Sequence, residues 1–257
     1  MSSQQLAAGR WAVLLEKRYL REAGELALVA VAFLLYFVVR GNVSDRTDLA
    51  FANARELIEI EKSIGFYWEA EMQSWITGSK ALIQLFNAVY FWLDFPLIAV
   101  VGLGFYFYRR REYTFTRDAI LLSGAVALVA YNLYPVAPPR LVDEVGVIDT
   151  LERYSNFSYQ AQSTDFFVNP YAAMPSLHVG WSFLLAFGAV RGFPGNRLVL
   201  ALAVLHPLSQ TASTVLTGNH YLIDGLGGLA ASAIGLALAF VLQRWGYTWL
   251  RRRLGLR

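Results

Sequence analysis

Residues 217–241 read TGNHYLIDGLGGLAASAIGLALAFV, from Thr217 to Val241. After a polar start, positions 222–241 hold one ionisable side chain, Asp224, among residues that are otherwise apolar or small. A helix needs about 20 such residues to cross the roughly 30 Å hydrocarbon layer, so the stretch is long enough to span a bilayer. A carboxylate within a span is costly without a partner, which makes Asp224 a functional candidate as well.

Working outward, five further runs have the same character: 198–216, 172–190, 119–137, 81–108 and 23–43. The run 81–108 exceeds a perpendicular span and contains Asp94 and Pro96, so it is predicted to tilt and kink. Asp94 is either functional or neutralises a buried partner. In the run 198–216, His206 precedes Pro207 with no carboxylate at helical spacing and reads as a structural histidine or the partner of a kink. Ala52-Asn53-Ala54 has the small-residue form of a cleavage site but lies well past the first apolar core, so that run is expected to be retained. The fold class expected is an all-α integral membrane bundle of six transmembrane helices. No internal repeat or linker divides residues 1–257, which read as a single membrane domain.

Composition agrees. Of 257 residues, 56% are hydrophobic and only 16% charged, against about 25% charged in average soluble domains. This excludes an ordinary cytosolic enzyme and, by the same numbers, a disordered chain. Without cysteine there is no disulfide framework, thiolate nucleophile or Cys-based metal site. The net charge of +3 comes from Lys and Arg at the ends of apolar runs, so the expected partners are the lipid bilayer and a phospholipid, with no nucleic acid. Placing the N-terminus inside puts 15 of the 22 Lys and Arg in cytoplasmic segments and 7 in longer outer loops, the bias that sets orientation. Both termini are therefore expected in the cytoplasm of a cell-membrane protein. Residues 45–76 carry Leu49, Ala54, Leu57, Ile58, Trp68, Met72, Trp75 and Ile76 at helical spacing. They are read as an interfacial amphipathic segment or a solvated loop helix.

Three polar segments fall on the outer side of this topology. They are Tyr134-Pro-Val-Ala-Pro-Pro-Arg140, Ala173-Met-Pro-Ser-Leu-His178 and Thr217-Gly-Asn-His-Tyr-Leu-Ile-Asp224. His220 and Asp224, four apart, share a helix face. A carboxylate on one imidazole nitrogen fixes the tautomer and leaves the other nitrogen nucleophilic. His178, from another helix, could protonate a leaving oxygen, and Arg140 offers a planar fork to phosphate oxygens. Ser176 reads as a helix cap that could also donate to phosphate, and Asn219 as a further substrate contact. The N-termini of the fourth and sixth spans are expected to offer amides to an anion. The acidic residues of 141–169, namely Asp143, Glu144, Asp149, Glu152 and Asp165, read as solvated surface.

Arg140, the Pro175-Ser176-Leu177-His178 run and the His220-x-x-x-Asp224 pair resemble the three signature segments of the type 2 phosphatidic acid phosphatase superfamily, in order and spacing over a core of about residues 80–240. The resemblance implies that His220 attacks phosphorus to form a phosphohistidine, Asp224 orients it, His178 protonates the leaving group and Arg140 binds phosphate, with no metal or cofactor. Two departures stand out. The family's usual Lys and Arg are replaced by Leu133 and Thr214, and fewer cations suit a phosphodiester monoanion better than a monoester dianion. Pro175-Ser176-Leu177-His178, the Thr217-Gly218-Asn219-His220-Tyr221 segment and Ala137-Pro138-Pro139 before Arg140 are more similar to the inositol phosphorylceramide synthase-like branch, which transfers a phospho-headgroup such as phosphoinositol to an alcohol. Simple hydrolysis of a lipid phosphate is the alternative, and a non-catalytic lipid-binding or transport protein is a second.

Overall fold

The computed structural model describes residues 19, 22–35, 46–154 and 170–253. Residues 22–35 form a helix, α1. It is followed by α2 (Thr47–Ser63), α3 (Glu69–Thr77), α4 (Lys80–Trp92), α5 (Phe95–Tyr108), α6 (Arg110–Leu133), α7 (Thr150–Tyr154), α8 (Leu177–Gly192), α9 (Arg197–Leu216), α10 (Leu222–Val241) and α11 (Tyr247–Arg253). A π-helical turn, Leu242–Gly246, joins the last two. Among the described residues there is no strand, only an isolated parallel bridge between Val136 and Ala172.

The expected count of six spans is corrected. Among the described residues, three helices are long and apolar enough to cross a membrane: α6, α9 and the stretch Leu222–Leu250. The pair α4 and α5 counts as a fourth if its 43° bend is one broken span. The run 172–190 falls short because its first residues are not helical. Ala172 bridges to Val136, and the helix begins only at Leu177, leaving 16 residues. Of the run 23–43, residues 36–43 lie outside the described residues.

The bend in 81–108 falls where the sequence places it. Leu93 and Asp94 separate the two helices, and Pro96 sits in the first turn of α5, where its missing N–H costs nothing. The Leu93 carbonyl, which a continuous helix would bond internally, instead lies 2.6 Å from His206 Nε2 and accepts from Gln210 Nε2 at 2.7 Å.

Helix α6 packs against α10, α8 and α5. Its Ala119, Ile120, Ala127 and Tyr131 join Leu177, Trp181 and Leu184 of α8 in the central core. Helices α8 and α10 touch backbone to backbone. A Cβ on Gly228 would lie 2.0 Å from the Ser176 carbonyl oxygen, and one on Gly180 would lie 2.6 Å from that of Gly228. Small residues allow this approach, and the two segments that carry the histidines are thereby brought together.

The amphipathic segment forms α2 and α3, but its apolar stripe turns inward. Ala50, Ala54, Leu57 and Ile58 pack against Val136, Ala137, Val142, Ala173 and Tyr221. Leu49, Ile60, Phe66, Trp68 and Trp75 remain exposed. The buried side of the segment covers the polar loops. At the opposite end of α6, buried Arg117 pairs with Glu25 and Asp118, and Tyr247 bonds Asp118, tying α1 and α11 to α6.

Candidate active site

The three polar segments are fastened to one another through their main chains. Val136 N donates to Tyr171 O at 2.9 Å, and Ala173 N donates to Val136 O at 3.2 Å. Arg140 N donates to Gly218 O, and Ser176 N to Asp224 O, each at 2.9 Å. Gly218 makes the sharp turn between α9 and the third segment at φ +76°, and a Cβ there would meet the Ile148 carbonyl at 2.9 Å. Thr214 supplies its carbonyl to the amides of Asn219 and His220 at 3.0 and 3.1 Å. The turn before His220 is thus ordered by backbone bonds.

Within this frame the rings of His178 and His220 lie 5.8 Å apart, centroid to centroid, and are tilted by 59°. His220 Nδ1 is 2.8 Å from the Ala173 carbonyl and 3.3 Å from Asp224 Oδ2. Both neighbours are acceptors, so Nδ1 carries the proton and Nε2 keeps its lone pair. The shorter contact is to the carbonyl, which gives the second segment's backbone a share in orienting the ring. Asp224 Oδ2 also accepts from Tyr221 N at 2.9 Å.

His178 has a carboxylate of its own. Asp94 Oδ2, at the break between α4 and α5, lies 3.3 Å from His178 Nε2. Tyr90 stacks on the ring at 4.2 Å, and Phe95 meets it edge-on at 6.5 Å. Ser176 is fully buried at the N-cap of α8, yet its hydroxyl makes no capping bond and has no hydrogen-bond partner among the described residues.

Arg140 is held on two sides. Nη1 donates to Asn219 Oδ1 at 2.6 Å, and Nε pairs with Asp149 Oδ2 at 3.0 Å. Asn219 in turn donates from Nδ2 to Thr217 Oγ1 at 2.8 Å. The expectation that Asp149 is solvated surface is therefore corrected: its Oδ2 compensates the site's arginine, while its Oδ1 accepts from the amides of Leu151 and Glu152. Glu144 does sit in solvent, paired with exposed Arg55, and Asp165 lies outside the described residues.

One electrostatic expectation fails outright. The first amides of α10 are not offered to a ligand, because Leu222 N donates to Glu69 Oε1 at 3.0 Å and Ile223 N to Glu61 Oε1 at 2.8 Å. Both glutamates are fully buried. Burial and the neighbouring Glu69 push the Glu61 carboxyl up to about 9, and burial also raises Glu69. The sequence carried a signal for one of them. Glu61 continues the spacing of Ala54, Leu57 and Ile58, so a carboxylate stands in the apolar stripe of α2. Among the described residues no three His, Cys, Asp or Glu side chains converge to hold a metal ion.

The family model described as the PAP2 superfamily matches residues 55–238, which include all three polar segments. An uncharacterized protein of Methanocaldococcus jannaschii is 29% identical over 149 residues, 58% of this chain. The match spans 57% of that relative's own length. No solved structure matches the chain.

Proposed function

The chain belongs to the PAP2 superfamily, and on that premise we propose that it is a membrane phosphotransferase that cleaves a phospholipid at its phosphoryl group and passes the headgroup phosphate to an alcohol. The observation that carries this reading is the meeting of two imidazoles from different segments, 5.8 Å apart, with Arg140 tied by its main chain to Gly218 of the segment that carries His220. The apolar helices and the family both point to a membrane protein. The proposal adds an outer-face site and cytoplasmic termini, on the strength of the Lys and Arg distribution.

In the first step His220 Nε2 attacks phosphorus in line. The bond from phosphorus to the leaving oxygen breaks, its electron pair goes to that oxygen, and a proton from His178 neutralises it. In the second step the acceptor hydroxyl gives its proton back to His178, its oxygen bonds phosphorus, and the N–P electron pair returns to His220. Arg140 and the first turn of α8 balance charge on the non-bridging oxygens.

A diester substrate is favoured over a monoester by the charge balance. Leu133 and Thr214 stand where the family usually places cations, and Arg140 is already paired with Asp149 at 3.0 Å. A monoanion is the better match for that pocket. The resemblance to the inositol phosphorylceramide synthase-like branch makes phosphoinositol a headgroup to try first.

The test is to incubate purified protein with phosphate-labelled phospholipids and a panel of alcohol acceptors, including lipid alcohols. Transfer gives a new labelled lipid, whereas hydrolysis gives only water-soluble label. An acid-labile, alkali-stable adduct should form on the wild-type chain and be missing from His220→Ala. Sustained turnover by that variant removes the proposed nucleophile.

A further inference from the structure

Asp94 is a fully buried carboxylate in a broken apolar helix, with no assigned part in the reaction described above. It occupies the N-cap position of α5, where an aspartate ordinarily accepts from the amides of its own helix. It makes no such bond. Its Oδ2 instead reaches across to His178 Nε2 at 3.3 Å, and its Oδ1 has no hydrogen-bond partner. A capping or solvating role is therefore not what holds this carboxylate in place, and a buried charge of this kind needs a partner.

The surroundings are built around that direction. The backbone at Asp94 leaves the helix at φ −114° and ψ −107°. The Leu93 carbonyl that the break exposes is taken up by His206 and Gln210 of α9, so a second helix stabilises the interruption. Tyr90, one turn before the break, covers the face of the His178 ring, and Phe95, just after it, meets the edge. The arrangement repeats the one at the nucleophile. Asp224 Oδ2 lies 3.3 Å from His220 Nδ1, and its Oδ1 is likewise without a hydrogen-bond partner. The site thus holds two aspartate–histidine pairs, one on each imidazole.

Resting on the reading of His178 as the proton donor, we infer that Asp94 is a positioning residue for that donor: it binds the Nε2–H, fixes the ring between Tyr90 and Phe95, and stabilises the imidazolium before the proton is given up. When the phosphorus–oxygen bond breaks, the proton passes from His178 to the leaving oxygen, and the ring remains neutral and hydrogen-bonded to the Asp94 carboxylate. In the second step the acceptor's proton restores the imidazolium. No proton leaves through Asp94 itself.

A leaving oxygen that is stable as an anion does not need that proton, and this gives the test. Rates of the full-length chain are measured on phosphatidylinositol, which expels an alkoxide, and on bis(4-nitrophenyl) phosphate, which expels a nitrophenolate. Asp94→Asn is expected to lower the phosphatidylinositol rate by about a hundredfold, the scale of general acid catalysis, and the nitrophenyl rate by less than about fivefold. His178→Ala should shift the ratio of the two rates in the same direction, and the double variant should be no worse than His178→Ala alone. The ratio is independent of how much protein folds, so it remains readable if the yield of a variant falls, and Asp94→Glu, which keeps but displaces the carboxylate, should fall between wild type and Asn. Equal losses on both esters would assign Asp94 a structural role and overturn the inference while leaving the parent reading intact. A leaving-group-independent loss in His178→Ala, or a wild-type chain that cleaves neither ester, would overturn the parent reading and the inference with it.

Discussion

Glu61 and Glu69, on two successive helices, hold neighbouring amides at the head of α10, Ile223 and Leu222 respectively, one residue past His220–Tyr221. The helix that carries Asp224 is therefore clamped from outside by two buried acids that cannot both ionise cheaply. A proton on Glu61 turns the pair into a donor and an acceptor.

This gives a pH signature. The Glu61 carboxyl is raised from 4.5 to about 9 in the folded protein, so between those values the folded state holds a proton that the unfolded state has lost. Stability is then full at the acid end of the window and falls as pH rises towards about 9, by at most about 1.4 kcal/mol per pH unit for one proton. Thermal unfolding in detergent across that range should show the decline in wild type and a flatter profile in Glu61→Gln. An unchanged slope in the variant would assign the titration to another group.

Gly228→Ala should disable the protein by steric means alone. The added carbon would lie 2.0 Å from the Ser176 carbonyl, forcing α8 and α10 apart at a cost of about 1–3 kcal/mol. The melting temperature and the turnover rate should both drop. Gly225→Ala on the same helix, whose carbon would meet only Val179 at 3.7 Å, should leave both near wild type.

Removing the counter-charge on Arg140 should change which ester is preferred. Asp149→Asn keeps the oxygen that caps Leu151 and Glu152 but frees the guanidinium charge. A dianion gains more from this than a monoanion. The ratio of kcat/KM for a phosphomonoester to that for a diester is expected to rise about tenfold, corresponding to about 1.4 kcal/mol of added stabilisation. A ratio that stays constant would show that Asp149 does not set the charge preference.

Loss of the α9 contacts to Leu93 should loosen the break that carries Asp94. His206→Ala leaves that carbonyl with Gln210 alone, at 2.7 Å, and His206→Ala with Gln210→Leu leaves it with neither. The single change is expected to cost about 1 kcal/mol of stability and the double change about twice that, since a hydrogen bond contributes about 0.5–1.5 kcal/mol net. Stepwise lowering of the melting temperature checks this. Equal values for all three proteins would remove His206 and Gln210 as supports of the break.

The helical class, the bend in 81–108 and the three polar segments were legible in the sequence because each leaves a local mark: apolar length, a proline beside an acid, a histidine beside a helix start. What was not legible depends on contacts between distant segments. Hydropathy marks the run 172–190 as one helix, but Ala173 and Ser176 lie outside that helix and bond Val136 and Asp224, which no window over a single segment detects. Asp149 is one acid among several in a loop, and only the fold shows that it reaches Arg140 while Glu144 does not. The amides of α10 looked available because helix starts usually are; the acids that take them come from residues 61 and 69, more than 150 positions away. Glu61 alone was within reach, as a charge in an apolar stripe.

The bonds that join Val136 to Tyr171 and Ala173, Arg140 to Gly218, and Ser176 to Asp224 all run between peptide groups. Peptide groups do not change when side chains are exchanged. The candidate site is accordingly held by bonds that survive an exchange of the side chains lining it, so those walls are free to diverge while the three segments keep their register.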